Sequence, residues 1–260
     1  MTSSLLRFAF VCCWLLPLMA HPTIADDAPI RRIASGVVIP DREVAVATKI
    51  ADRIVAIPYQ EGASVKQGDV LVQLEDAQWQ ADLQAGLAAV RLAQIEVERT
   101  RKRRDRIKDL RERSSASEDA LDNATFDLAA ADARLLSAQA NVTKFRALLA
   151  ETRIVAPFDA VVTGRVVELG EVTSPGSPLL ELQDQRRLKL QTRIKEKDVP
   201  FIQVGQAVTV TIDALAGVEL AGRVSKLIPA GDARTHTFEV EIELPAQAGL
   251  YPGMFGQASF

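Results

Sequence analysis

A chain of 260 residues, 48% hydrophobic and 25% charged, has room for one extended or two compact domains. Its formal net charge of -3 gives no overall pull toward nucleic acid or an acidic membrane. The chain has two cysteines, Cys12 and Cys13, so past that point disulfide and cysteine-ligated metal chemistry have no residues to use.

The first segment reads as an export signal. Arg7 precedes the apolar run "FAFVCCWLLPLMA", which is followed by "HPTIA" and the polar "DD". A positive start, an apolar core of about a dozen residues and small residues near its end match a secretory signal peptide over residues 1–25. Thr23 and Ala25 suit the positions three and one before a cut, which places cleavage after Ala25. The run falls short of the roughly 20 residues of a comfortable span, and Pro17 interrupts it. An uncut N-terminal anchor is the alternative.

Residues 33–76 then read as short strands: "GVVIP", "EVAVATKI", "RIVAIPY" and "DVLVQLE" alternate or run apolar between Gly, Pro, Asp and Gln. The same grammar resumes over 153–185. At an offset of 108 residues Gly62 falls on Gly170, Gly68 on Gly176, Leu71 on Leu179, Leu74 on Leu182 and Asp76 on Asp184. Shared turn residues and apolar positions at one offset make this a repeat. Neither half is large enough to bury a core alone, so the two are expected to face one another as one small pseudo-symmetric sandwich. The paired glycines suit turns with positive φ.

Between the halves, residues 77–152, the period changes. Leu121, Leu128, Leu135, Val142 and Leu149 recur every seven residues, and Ala124, Ala131, Ala138 and Phe145 follow the first four by three. That is a heptad seam with small residues allowing close approach. Leu83, Val90 and Val97 repeat the spacing in the preceding run, and Ser117 is a good N-cap for the second helix. The pattern predicts an antiparallel coiled-coil hairpin. Residues 99–113 hold nine Lys or Arg against three acids, but no aromatic residue is interleaved. Glu118, Asp119, Asp122 and Asp127 begin the returning helix alongside. The reading is therefore a solvated pair of helices with cross-helix ion pairs, and no nucleic-acid partner.

From residue 186 to 260 the chain is β-rich again. "LKLQTRI", "AVTVTID", "LAGRVSKLI", "TFEVEIEL" and "GMFGQASF", with a helical turn at "EKDVPFIQVG", suit a small closed barrel. His236 stands alone in "DARTHTFEV", and no phosphate-cradling loop, nucleophile elbow or metal-ligand cluster occurs. Neither an enzyme nor a cofactor is expected.

The order half-lipoyl, helical hairpin, half-lipoyl, barrel resembles the periplasmic adaptors (membrane fusion, HlyD-like) of tripartite efflux and secretion systems, the RND type most of all. "EGASVKQGDVLVQLED", "TRIVAPFDAVVTGRVVELGEVTSPGSPLLEL", "IKEKDVPFIQVGQAVTV" and "GLYPGMFGQASF" carry the resemblance over nearly all of residues 33–260. It implies an α+β, mainly β fold: a split lipoyl-like sandwich interrupted by a coiled-coil hairpin and followed by a β-barrel, the whole elongated. It implies a non-catalytic periplasmic link between an inner-membrane transporter, of RND or ABC type, and an outer-membrane TolC-type channel, with several copies in a ring. The family's hairpin tip carries Arg, then Leu four further on, then Ser seven beyond; Arg106, Leu110 and Ser117 fit that spacing and are the candidate channel-docking residues. Two departures stand out. Asp52 and Ala160 occupy positions where the family usually has glycine, and the membrane-proximal domain of fuller members is expected to be missing. The alternatives are a lipoyl or biotinyl carrier, which shares this sandwich, and a periplasmic substrate-binding module that uses the barrel. The carrier needs a lysine on the turn, and none adjoins Asp76 or Asp184.

Overall fold

The computed structural model describes residues 32–215 and 218–260. The signal-peptide reading of residues 1–25 lies outside them. Strand β1 (Ile33–Pro40) is followed by β2 (Glu43–Ala47), β3 (Ile54–Ala56), β4 (Ser64–Val65) and β5 (Val70–Leu74). Two long helices come next, α1 (Ala77–Glu112) and α2 (Glu118–Glu151). The chain then returns through β6 (Arg153–Val155), β7 (Ala160–Arg165) and β8 (Pro178–Gln183). Strands β9 (Leu188–Lys195), β10 (Ala207–Ile212), β11 (Glu219–Leu227), β12 (Thr237–Glu243) and β13 (Phe255–Ser259) complete it, with a 3₁₀ turn at Glu196–Phe201.

The repeat becomes a two-sheet sandwich in which neither half forms a sheet of its own. One sheet runs β2-β8-β7-β4 and the other β3-β5-β6, so each mixes strands from before and after the helices. At the 108-residue offset β2 corresponds to β6, β8 to β5 and β7 to β3, so the order β2-β8-β7 in one sheet is repeated as β6-β5-β3 in the other. Gly62, Gly68, Gly170 and Gly176 all have positive φ, between 84° and 90°. Their amides write the symmetry out in hydrogen bonds. Gly62 N–H donates to Val162 O and Gly170 N–H to Ile54 O, which are equivalent carbonyls; Gly68 donates to Ala156 O and Gly176 to Thr48 O, again equivalent. Each half therefore satisfies backbone groups that the other half's turns present. Leu71, Leu74, Leu179 and Leu182 meet in the core, fully shielded from water.

The barrel is closed in the order β1-β13-β10-β11-β12-β9, so β1, from before the sandwich, supplies the strand that closes it. Period-2 alternation sets its lining. In β9, Leu188, Leu190, Thr192 and Ile194 point inward, and the buried Thr192 hydroxyl donates to Ser35 O at 2.7 Å. Val38, Val210, Val240, Ile242 and Ala258 fill the rest of the interior.

If the sandwich is one cooperative body, equivalent core leucines should cost alike. Leu74→Ala and Leu182→Ala are each expected to lose about 2–5 kcal/mol, as buried Leu→Ala changes do. Urea unfolding followed by circular dichroism tests this. A loss confined to one variant, or a separate transition for one half, contradicts the interlocked sandwich.

Candidate functional site

The two helices form a hairpin inserted between the halves of the sandwich, about 50 Å long at 1.5 Å per residue. In α2 the nine heptad positions from Leu121 to Leu149 are buried or half-buried, with Ala124, Ala131 and Val142 the most shielded. In α1 the facing row is Leu83, Gly86, Val90, Ala93, Val97, Thr100, Arg104 and Ile107. The leucine and valine spacing was legible beforehand, but the intervening small and polar positions were not. Gly86 lets the helices approach closely, since a Cβ there would stand 3.2 Å from both Phe145 and Val142. Thr100 satisfies its buried hydroxyl locally, donating to Glu96 O at 2.8 Å. Arg104 continues the seam with its alkyl stem; its Nε is 2.8 Å from the Asp105 carboxylate yet outside hydrogen-bonding geometry. Thus the seam loosens and turns polar toward the tip.

At the tip α1 ends at Glu112, Ser114 takes a left-handed φ of 60°, and Ser115 N–H donates to Leu110 O at 2.7 Å. Ser117 caps α2, its Oγ accepting from Ala120 N–H at 3.2 Å, with Glu118 and Asp119 in the first turn, where acids complement the helix dipole. Arg111 pairs with Glu118 at 3.1 Å, and Arg103 approaches Asp127 at 3.7 Å across the seam. The three tip residues named from sequence lie within the last turns around this loop. Leu110 is 41% exposed, Arg106 is exposed without a partner among the described residues, and the Ser117 hydroxyl is engaged in the cap.

The base of the hairpin is tied down by polar contacts. Trp79, in the first turn of α1, packs on the sandwich core and donates its indole N–H to the Asp52 carboxylate at 2.8 Å. Lys49 reaches Glu151 at the end of α2 at 2.6 Å, and the buried Thr152 hydroxyl donates to Leu149 O at 2.7 Å. Both helices are thereby tied at their foot to the connection between β2 and β3. As for chemistry, the described residues hold no group of three or more His, Cys, Asp or Glu placed to bind a metal. His236 sits in a turn with φ 50°, its Nδ1 3.4 Å from Glu196, and both side chains are open to solvent. No described helix is long and apolar enough to cross a membrane.

A sandwich split by a helical hairpin and joined to a closed six-stranded barrel matches two known family models. Residues 42–182 match the RND MFP barrel-sandwich hybrid domain, and residues 189–260 the CusB-like beta-barrel domain. The chain belongs to the RND membrane fusion protein family, the adaptors of efflux systems. It is 28% identical over 225 residues to an uncharacterized protein of Haemophilus influenzae, covering 86% of this chain and 55% of that protein. To nodulation protein NolF of Rhizobium meliloti it is 27% identical, covering 84% and 59%. To multidrug resistance protein MdtA of Proteus mirabilis it is 22% identical, covering 92% and 60%. The chain thus spans somewhat over half the length of these relatives. Among solved structures, the membrane fusion protein Spr0693 of Streptococcus pneumoniae R6 superposes with a TM-score of 0.73 at 17% identity, covering 87% of this chain and 97% of that one. A MacA-MexA chimera carrying the Pseudomonas aeruginosa MexA hairpin gives 0.67 at 23%, covering 88% and 80%. These two likenesses are of fold.

One departure from the family's glycine pattern now has a physical role. Asp52, at the sandwich position equivalent to Ala160, is the acceptor for Trp79, a contact that glycine could not make. Only the presence of an acid one strand-entry before a lone aromatic at the helix start hinted at it. Trp79→Phe keeps an aromatic ring but removes the donor and part of the packed indole, and should lose at least about 1.5 kcal/mol, the worth of a hydrogen bond to a charged group. Asp52→Asn, which retains an acceptor, should lose less than half of that. Urea unfolding of both variants checks the order, and equal losses contradict the hydrogen bond's role.

Proposed function

We propose that this chain is a non-catalytic adaptor of a tripartite export system, exported by its N-terminal signal and working in the periplasm beside the inner membrane. Its barrel faces an energy-coupled inner-membrane transporter of the RND type, and its hairpin tip meets an outer-membrane channel of the TolC type. The observation that carries the reading is the hairpin: two helices of 36 and 34 residues bury their apolar seam against each other and hold out an end with an exposed leucine and an arginine that has no partner among the described residues. Leu110 would enter an apolar hole between channel helices, Arg106 would meet an acid or carbonyl there, and Ser117 would keep the returning helix in register.

Side-by-side assembly of several copies fits the outer surface of the hairpin. Gly86 faces Val142 across the seam, so Leu92 and Leu136, each six residues farther out, stand at one height. They are 70% and 68% exposed and lie on opposite flanks of the hairpin, a placement that suits head-to-tail packing into a closed ring. The carrier alternative lacks its acceptor amine, because β5 runs through Asp76 into α1 and β8 through Asp184 into the barrel.

Leu110→Lys is expected to abolish export in cells holding the cognate transporter and channel while leaving helicity and melting temperature nearly unchanged. The side chain is 41% exposed, and a cation suits the last turn of a helix. Leu128→Lys, in the seam, should lose both export and several degrees of melting temperature. Normal export by Leu110→Lys would remove the docking role from this tip.

A further inference from the structure

The described chain passes between barrel and sandwich twice, through residues 41–42 after β1 and residues 184–187 before β9. The two crossings pair with each other: Asp41 N–H donates to Arg187 O and Asp184 N–H to Arg42 O, both at 2.9 Å. A two-stranded ribbon with no third strand beside it is marginal by itself and bends readily. This one is gripped on both sides by charges. Asp184, with its side chain 1% exposed, accepts from Arg42 at 2.8 Å, and from the Arg186 side chain at 3.3 Å and backbone N–H at 3.1 Å. Arg186 also reaches Asp159 of the sandwich at 2.7 Å, and that carboxylate is held by Gln67 N–H at 2.8 Å. Arg42 stacks over the sandwich residue Phe158, 4.4 Å from the ring centre. On the barrel side Asp41 accepts from Lys189 at 2.7 Å, and Lys189 continues to Glu241 of β12 at 3.1 Å.

We propose that this cluster is a charge latch that fixes the angle between barrel and sandwich, and with it the direction of the hairpin relative to the barrel. The ribbon supplies the hinge; Asp184 holds its two strands together, Arg42 and Arg186 fasten it to the sandwich, and Asp41 with Lys189 fastens it to the barrel. The length of the hairpin makes the angle matter. A 10° change at the joint displaces the end of a ~50 Å arm by roughly 9 Å. A single buried carboxylate serving both crossings gives the joint one preferred geometry, since loss of either arginine leaves the buried Asp184 charge less fully compensated.

The latch should hold across ordinary pH. Burial by itself would raise the Asp184 carboxyl, but hydrogen bonds from Arg42 and Arg186 outweigh it and hold the group below its usual range. Such a depressed group stabilises the folded joint above its unfolded value of about 3.9 and is lost only as pH falls through the lower folded value. The charged groups that touch it are Arg42 and Arg186 of the ribbon; Asp159 of the sandwich pairs with Arg186, and Asp41, Lys189 and Glu241 pair among themselves on the barrel side.

The test is a spin-label distance measurement on the full chain with Cys12 and Cys13 replaced by serine, and labels at Thr163→Cys in the sandwich and Ala221→Cys in the barrel. Both label sites are exposed. The parent should give one narrow distance distribution, unchanged between pH 8 and pH 5. Asp184→Asn, Arg186→Gln and Lys189→Met should each widen it roughly twofold, as a hinge freed over ~20° would, while sandwich and barrel still melt cooperatively. A broad parent distribution, or variants as narrow as the parent, overturns the proposal and leaves the backbone ribbon setting the angle. Broadening between pH 8 and pH 5 overturns the assignment to Asp184. If Asp184→Asn fails to fold, Arg186→Gln and Lys189→Met decide by the same criterion.

Discussion

The rest of the molecule depends on one reciprocal arrangement: turn glycines in each half of the sandwich donate hydrogen bonds to equivalent carbonyls in the other half. Buried backbone groups must be paired, and here the carbonyls of the buried Val162 and Ile54 are paired by the Gly62 and Gly170 amides. A half that folded alone would leave those donors and acceptors open, along with the faces of Leu71, Leu74, Leu179 and Leu182. The cost of separating the halves is therefore carried by polar and apolar terms together. That is what allows some 70 residues of helix to be inserted between them. Loop-closure entropy grows only logarithmically with length, and the hairpin pairs its own ends, so the sandwich sees a short connection rather than a long one.

The hairpin obeys a different economy. Its seam is built of alanine, glycine and threonine between spaced leucines and valines, which brings the helices close but buries little area per residue. Its register is set at the two ends: Trp79 on Asp52 and Lys49 on Glu151 at the foot, the Ser117 cap and the Arg111–Glu118 pair at the tip. Exposed ion pairs contribute little each, so they choose the pairing more than they stabilise it. The result is an element firm along its axis with an outer surface free to carry apolar residues such as Leu92 and Leu136.

What was legible in the sequence was whatever repeats. The 108-residue offset exposed both sets of turn glycines and the core leucines, and all four of those glycines adopt positive φ. The seven-residue spacing marked the buried positions of α2, Ala124, Ala131 and Val142, and five strands of the barrel showed period-2 alternation. What does not repeat was hidden. Thr100 and Arg104 in the seam, and the indole of Trp79 on Asp52, are single polar placements whose partners are decided by three-dimensional proximity. The cluster at Asp184 joins residues 142 positions apart in sequence, and no local pattern announces it. For the tip, a motif spacing pointed to Arg106, Leu110 and Ser117, and the structure places them around one loop.

The two acids that close the repeat, Asp76 and Asp184, show how a duplicated unit acquires direction. Each ends a core strand at the same point of the sandwich, where an unmodified repeat would simply turn. Asp76 instead stands at the start of α1 with no side-chain cap bond, its neighbour Trp79 taking over the anchoring through Asp52. Asp184 is buried among arginines and leads into the barrel. The same residue type at the same symmetric corner is thus open where the chain departs into a helical pair already closed on itself, and locked where it departs into a separate body that must be held at an angle. A symmetric core thereby supports two different exits, one carrying the hairpin and one carrying the barrel, and their relative direction is decided by polar contacts at the corners rather than by the apolar interior.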